Sequence, residues 1–210
     1  MTVHPPHLQP VQREAEVPAS SEAAVLVAAA VRGDVHAWSE LYRREYAGVF
    51  RQVRYLTGDA ALAEELAQET FAQAIAGVHR FDASRPFRPW LHGIALNVVR
   101  KSWTKSRSRS KAHAKLEVVG PRDQRSEPDD DHLQRERSRA LYAALDELPD
   151  RWREAFVLRE LQGLDVADAA RQLDVSTANL HVRVTRARAR LREILTARGW
   201  IDEPIGGGEP

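Results

Sequence analysis

Residues 164–191 read Leu164-Asp-Val-Ala-Asp-Ala-Ala-Arg-Gln-Leu-Asp-Val-Ser-Thr-Ala-Asn-Leu-His-Val-Arg-Val-Thr-Arg-Ala-Arg-Ala-Arg-Leu191. The spacing predicts two helices joined by a tight turn. The first covers residues 166–173, with Asp165 as its N-cap. Asp174-Val175 makes the turn, and Ser176 caps a second helix running to about residue 196. Ala169, Ala170, Leu173, Val175, Leu180 and Val184 fall on facing sides as an apolar seam, the small alanines permitting close approach. The charged side chains from Ser176 to Leu191 are all arginines (Arg183, Arg186, Arg188, Arg190), so the outer face of the second helix is cationic. A basic helix docked through a short turn on another helix has the geometry that enters a DNA major groove. A solvated basic helix in an ordinary bundle is the competing reading.

Outside this stretch, 210 residues suffice for one sizeable domain or two small ones, and 43% hydrophobic content is that of a folded chain. Cysteine is absent, which excludes disulfides and thiolate metal sites and suits a cytoplasmic location. No apolar run approaches the roughly 20 residues that span a bilayer, so stable membrane insertion is not expected. Residues 1–21 are polar and proline-rich, lack the apolar core of a signal peptide, and read as a disordered leader. The net charge of +1 conceals zoning. Between Tyr55 and His79 the charged residues are all acids, Asp59, Glu64, Glu65 and Glu69; between Ala83 and Leu116 they are all Lys or Arg. Such segregation suggests one surface for a basic partner and others for a polyanion.

Helical periodicity continues through residues 23–31, 35–57 and 60–78, with Gly33 and Gly58 as stops and Asp34 as a cap. Trp38, Leu41, Tyr42, Tyr46, Val49 and Phe50 read as core-facing, as do Leu62, Leu66, Phe71 and Ile75 in the third helix. Glu65, Gln68 and Glu69 share one face of that helix with no cation to neutralise them. The helix macrodipole accounts for Glu64 and Glu65 near the start, less well for Glu69 further in; a docking face for a basic partner is the alternative. After a loop at 79–87, a helix is expected over 89–106 with the stripe Trp90, Leu91, Ile94, Ala95, Val98 and Val99. Opposite that stripe the spacing sets His92, Asn97, Arg100, Lys101 and Lys105, with Trp103 among them, before the helix dissolves into the Ser/Arg/Lys run 105–111. Basic side chains interleaved with an aromatic suit an unpaired strand; Trp103 closing the edge of the core is the other reading. Residues 116–132, with Gly120, Pro121, Pro128 and Asp129-Asp130-Asp131, read as a linker. Helices at 133–148 and at 151–161, the latter capped by Asp150, lead back to the opening stretch, and the glycine-rich residues 199–210 read as a flexible tail.

No chemistry of a catalyst accompanies these elements. No two histidines outside the leader share a metal-ligand spacing, and no glycine-rich phosphate loop or Gly-x-Ser-x-Gly elbow occurs. The Asp129–131 run lacks the glycine and terminal glutamate of a calcium loop. No catalytic residue, metal or cofactor is expected.

Two further stretches carry a resemblance. Ala63-Glu-Glu-Leu-Ala-Gln-Glu-Thr-Phe71, followed by Phe87-Arg-Pro-Trp-Leu-His-Gly-Ile-Ala-Leu-Asn-Val-Val-Arg100, resembles the second conserved region of bacterial sigma factors. Leu145-Asp-Glu-Leu-Pro-Asp-Arg-Trp-Arg-Glu-Ala-Phe-Val-Leu-Arg-Glu160, together with the opening stretch, resembles their fourth region. Two such regions across a linker are similar to the small extracytoplasmic-function (ECF) sigma factors. The resemblance implies an all-α chain of two small helical domains, at 22–115 and 133–198, joined by a flexible linker, the second a helix-turn-helix. It implies a factor that binds core RNA polymerase and directs promoter-specific initiation, reading the upstream element as duplex and melting the downstream one.

Carried over residue by residue, the resemblance assigns Glu65, Gln68 and Glu69 to core polymerase. Arg80, Arg85, Arg88, Trp90, Asn97, Arg100 and Lys101 fall to the downstream element and its melted non-template strand. Ser176, Thr177, Asn179, His181, Arg183, Arg186 and Arg188 fall to the upstream duplex. An anti-sigma factor that masks these surfaces is also implied. This chain departs from the family pattern at Asp174, where glycine is usual in the turn, and at His181-Val182, where Lys-Ser is commoner. A stand-alone helix-turn-helix regulator is the alternative function; it needs neither an acidic docking face nor a second basic domain.

Overall fold

The computed structural model describes residues 21–82, 85–113 and 132–201. Among these residues every regular element is helical: α1 Ser21–Val31, α2 Val35–Thr57, α3 Ala60–Gly77, a 3-10 turn Val78–Arg80, α4 Phe87–His113, α5 His132–Asp146, α6 Asp150–Phe156, a π turn Val157–Leu161, α7 Val166–Leu173 and α8 Thr177–Ala197. The fold is all-α, in two helical regions on either side of residues 114–131. The leader, most of the linker and all but the first residues of the tail lie outside the described residues.

Local chemistry sets the corners of the first region. The Asp34 carboxylate accepts from the His36 and Ala37 N–H groups at 2.8 and 3.1 Å, starting α2. At its other end Gly58 adopts φ 69°, which glycine reaches without Cβ strain, and the next residue, Asp59, caps α3 through Leu62 N–H at 3.0 Å. A stop and a start on consecutive residues fold α3 back on α2. The Trp38 indole donates to Ala30 O at 3.1 Å and ties down the end of α1. The core is filled by Leu41, Val49, Val53 and Leu56 of α2, Ala63, Ala67, Phe71 and Ala74 of α3, and Leu91, Ala95, Leu96 and Val99 of α4. Alanines on α3 let its backbone come close to both neighbours.

Five features differ from the periodicity reading. His92, expected on the polar face of α4, is buried, because Gln52 of α2 provides a partner at both ends. Gln52 Nε2 donates to His92 O at 3.2 Å and its Oε1 accepts from the ring Nδ1. Tyr42 and Ile75, both expected in the core, are 39% and 52% exposed, Tyr42 lying over the Phe71 ring at the core's edge. Helix α4 does not dissolve near residue 106 but runs to His113. Lys and Arg are good helix formers, and the Arg107–Asp150 ion pair relieves like-charge repulsion there. Asp150 itself does not cap α6: Pro149 holds the N-cap position, and the Asp150 carboxylate is turned to Arg107.

In the second region α6 widens at its end, where Gln162 N–H donates to Val157 O at 2.8 Å across five residues. Asp165 caps α7 through Asp168 N–H at 2.7 Å and Ser176 caps α8 through Asn179 N–H at 3.2 Å. Asp174 takes the left-handed conformation at φ 55°, which Asp tolerates better than most residues. The predicted seam is present: Ala169, Ala170, Leu173, Leu180 and Val184 are buried, with Val175 packed on them. The two regions share one core. Ala155, Val157, Leu158 and Leu173 belong to the same buried cluster as Leu91, Val98 and Val99.

Candidate nucleic-acid interface

Three surfaces collect the residues singled out in the sequence. Glu65, Gln68 and Glu69 are exposed on one face of α3, joined by Glu64. The rest of that face is apolar: Ala72, Ile75 and Ala76 follow at helical spacing and are exposed. The Glu69 carboxylate accepts from Gln73 Nε2 at 2.8 Å, which leaves its charge unneutralised. An acidic rim beside an uncovered isoleucine is the composition of an interface rather than of a solvated face.

The second surface lies along α4 and the turn before it. Arg80 and Arg85 are exposed, Arg85 pairing with Asp82 at 3.3 Å; Arg88 pairs with Glu45 of α2 at 2.9 Å. Trp90 is half-buried, with ring centroids 5.0 Å from Phe81 and 5.5 Å from Phe87. That aromatic cluster roots the turn on the core. Further along, Asn97, Arg100, Lys101 and Lys105 line an open cleft of about 590 Å³ closed on the α3 side by Gln73. Arg100 is not free within it. Its Nε and NH2 groups both donate to the Glu154 carboxylate at 2.7 Å, and this bond holds its pKa above the usual arginine value. Trp103 packs on the core with the Arg153 guanidinium 5.6 Å from its ring, so it closes the core edge.

The third surface is α8. Ser176, Thr177, Asn179, His181 and Arg186 are exposed, and Arg183 is half-buried. The Arg183 Nε donates to Asn179 Oδ1 at 2.7 Å, which holds the guanidinium along the helix. Asn179, Arg183 and Arg186 share one flank with Arg151 and Trp152 of α6, around a groove of about 320 Å³. Val182, 49% exposed, stands at the groove's outer edge. Arg188 lies on the opposite flank and is held by Glu160 of the π turn at 2.8 Å. It is thus separated from Arg183 and Arg186, with which the sequence reading grouped it.

Residues 41–109 match the family described as Sigma-70 region 2, and residues 138–191 that described as Sigma-70, region 4. The ECF RNA polymerase sigma factor SigM of Mycobacterium tuberculosis is 34% identical over 174 residues, covering 82% of this chain and 84% of the relative. The chain belongs to the ECF sigma factors. These are transcription initiation factors, not catalytic enzymes. Among solved structures, CnrH in complex with the cytosolic domain of CnrY aligns with a TM-score of 0.61 at 26% identity, over 83% of this chain and 97% of CnrH. RpoE of Bartonella quintana, solved with the anti-sigma factor NepR, shares the fold with a TM-score of 0.63 at 23% identity, over 80% and 100% of the two chains.

In this ECF sigma factor the turn and α4 up to Arg109 lie within the region-2 match, and α8 lies within the region-4 match up to Leu191. Among the described residues no helix is long and apolar enough to cross a membrane, and no metal-binding cluster occurs. Sequence reasoning missed Glu154, Arg151 and Val182. Val182 carried a signal, since it sits on α8 between the predicted DNA contacts His181 and Arg183, whereas Arg151 joins them only because α6 packs beside α8. Glu154 carried none, because its partner is 54 residues away.

Proposed function

We propose that this chain binds core RNA polymerase through α3 and directs it to a promoter. In this reading α8 reads the upstream element as duplex, and α4 with the turn before it captures the melted downstream strand. The observation that carries the reading is the pairing of an acidic, partly apolar α3 face with two separate cationic surfaces on one chain. A stand-alone repressor needs only one cationic surface. The Asn97, Lys101 and Lys105 cleft beside the Trp90 cluster supports strand capture, since an extruded base needs a pocket and a cationic path for its backbone. Assembly with polymerase makes the cytoplasm the working compartment. An anti-sigma partner belongs to the same proposal, supported by the complex of the Bartonella relative with NepR.

Purified chain added to core polymerase is expected to yield transcripts from specific promoters. Tight duplex binding by the free chain with no transcript from any promoter would favour the stand-alone regulator instead. Two variants divide the surfaces. Glu69→Lys reverses an exposed charge and should weaken capture of core polymerase while leaving the melting temperature unchanged; undiminished pull-down would remove α3 from the docking assignment. Arg183→Ala should cost about 1–3 kcal/mol of duplex affinity if its braced guanidinium reads a base edge. Equal losses on specific and scrambled promoters would assign it to the phosphate backbone.

A further inference from the structure

The outward side chains in the first turns of α8 are of two kinds. Ala178 and Val182, four residues apart and so neighbours on one face, are exposed and carry no polar atom. Asn179, Arg183 and Arg186 supply the polar side of the same groove. Val182 is 49% exposed, a β-branched apolar side chain set between hydrogen-bonding neighbours.

The hydrogen bonds sort the polar members. Reading adenine takes both ends of an asparagine amide, the oxygen on N6–H and the nitrogen on N7. The oxygen of Asn179 already accepts from Arg183 Nε at 2.7 Å and is turned along the helix. Asn179 is thereby a positioning residue that aims Arg183, whose terminal nitrogens keep the pair of donors that suits O6 and N7 of guanine. The apolar members suit a different partner. A base edge presenting an amino or keto group to Val182 would lose its water and gain no bond, whereas a methyl group loses nothing there. Among the bases of unmodified DNA, thymine alone carries a methyl group in the major groove.

Taking α8 as the helix that reads duplex, we propose that Val182, extended by Ala178, selects the C5-methyl group of a thymine in the upstream element, beside a guanine read by Arg183 or Arg186. From Val182 to Arg186 the helix rises about 6 Å, less than two base steps of about 3.4 Å. The thymine and the guanine therefore fall within about two base pairs of each other. The polar and apolar halves of the groove read as one short sequence, with the methyl contact making the choice that arginines alone cannot make.

A duplex library of random sequence, selected on the full chain alone and on the chain with core polymerase, should converge on such a thymine. Replacing it with uracil removes only the methyl group and should weaken binding about three- to five-fold, the effect of burying one such group. A cytosine–guanine pair at that place should bind more weakly still, and 5-methylcytosine should recover about the same three- to five-fold over cytosine. In Val182→Ser both methyl effects should vanish, and selection should no longer fix the thymine. The exposed site predicts an unchanged helical circular dichroism spectrum; if serine disturbs the helix, Val182→Ala keeps it and should shrink both effects. Methyl effects of undiminished size in the variants would assign them to the stiffness of the DNA or to another side chain and overturn the role of Val182. A selected duplex indifferent to the loss of every thymine methyl would overturn the contact itself. No enriched duplex in either selection would overturn the contact together with α8 as duplex reader. Promoter-specific transcription by core polymerase is scored separately: its failure beside an intact methyl effect would remove the proposed function and leave the thymine contact standing.

Discussion

Replacing Arg153 with methionine should cost the folded protein about 3–5 kcal/mol, a large share of what a domain this size possesses. The guanidinium is 5% exposed and gives four hydrogen bonds: to Leu56 O at 2.8 Å, Asp146 O at 2.6 Å, Leu148 O at 3.2 Å and the Asp146 carboxylate at 3.1 Å. The carbonyl of Leu56 lies in the last turn of α2, and that of Asp146 ends α5. Helix C-termini leave carbonyls without intrahelical donors, and the negative end of the macrodipole favours a cation there. One side chain therefore answers two helix ends from different halves of the chain. The Asp146 side chain is 59% exposed, so its ion pair contributes little and the buried carbonyls dominate. Methionine keeps most of the stem volume but strands those acceptors away from water. Lysine should recover part of the loss, since one ammonium cannot reach all the acceptors that the planar fork reaches. Urea unfolding followed by helical circular dichroism measures the difference. A methionine variant within 1 kcal/mol of the original would mean that water enters behind Trp103 and takes over the bonds.

Which features the sequence disclosed follows from the range of the interactions that make them. Asp34, Asp165 and Ser176 were readable as caps because each bonds an N–H two or three residues away. Asp174 as the left-handed turn residue and the alanine seam between α7 and α8 were readable for the same reason. His92 was not. Helical spacing put it opposite the stripe of Leu91 and Ala95, and only Gln52, 40 residues earlier, makes its burial affordable. Asp150 illustrates the converse: its local role as a cap was the obvious one, and a distant arginine took it instead. Arg100 and Arg188 read as free positive charge, yet Glu154 and Glu160 hold them from across the fold. On the acidic α3 face Glu65, Gln68 and Glu69 are exposed, as their spacing suggested, because none of the described residues covers them. Arg100 and Arg188 lost the reading that local spacing gave them because their partners lie 54 and 28 residues away in sequence.

Mild acid should destabilise the protein through His92 before its carboxylates matter. The imidazole is 4% exposed, and burial, reinforced by the nearby positive charges of Arg88 and Arg51, lowers its pKa from 6.5 to about 4. Its Nδ1–H donates to Gln52 in either form, and burial beside Arg88 and Arg51 is what makes the neutral ring the one the core accepts. In the unfolded chain the ring takes up a proton near pH 6.5. Above that pH both states are neutral and stability is at its full value. Between 6.5 and about 4 only the unfolded state binds the proton, and stability falls by about 3 kcal/mol in all. Below 4 both states are protonated and this contribution levels off. Glu40, held below the usual carboxylate range by the hydrogen bond from Arg44, and Asp165, held there by the Asp168 N–H, lose their share at lower pH. The windows therefore separate. His92→Asn can present an N–H to Gln52 without a titrating ring; its urea midpoint should start lower than the original at pH 7 but change little down to pH 4.5. The original chain should lose stability steadily across the same interval. Parallel curves for the two proteins would mean that solvent already reaches the imidazole and that the contact between α2 and α4 at Gly48, whose added Cβ would sit 3.6 Å from the ring, opens at neutral pH.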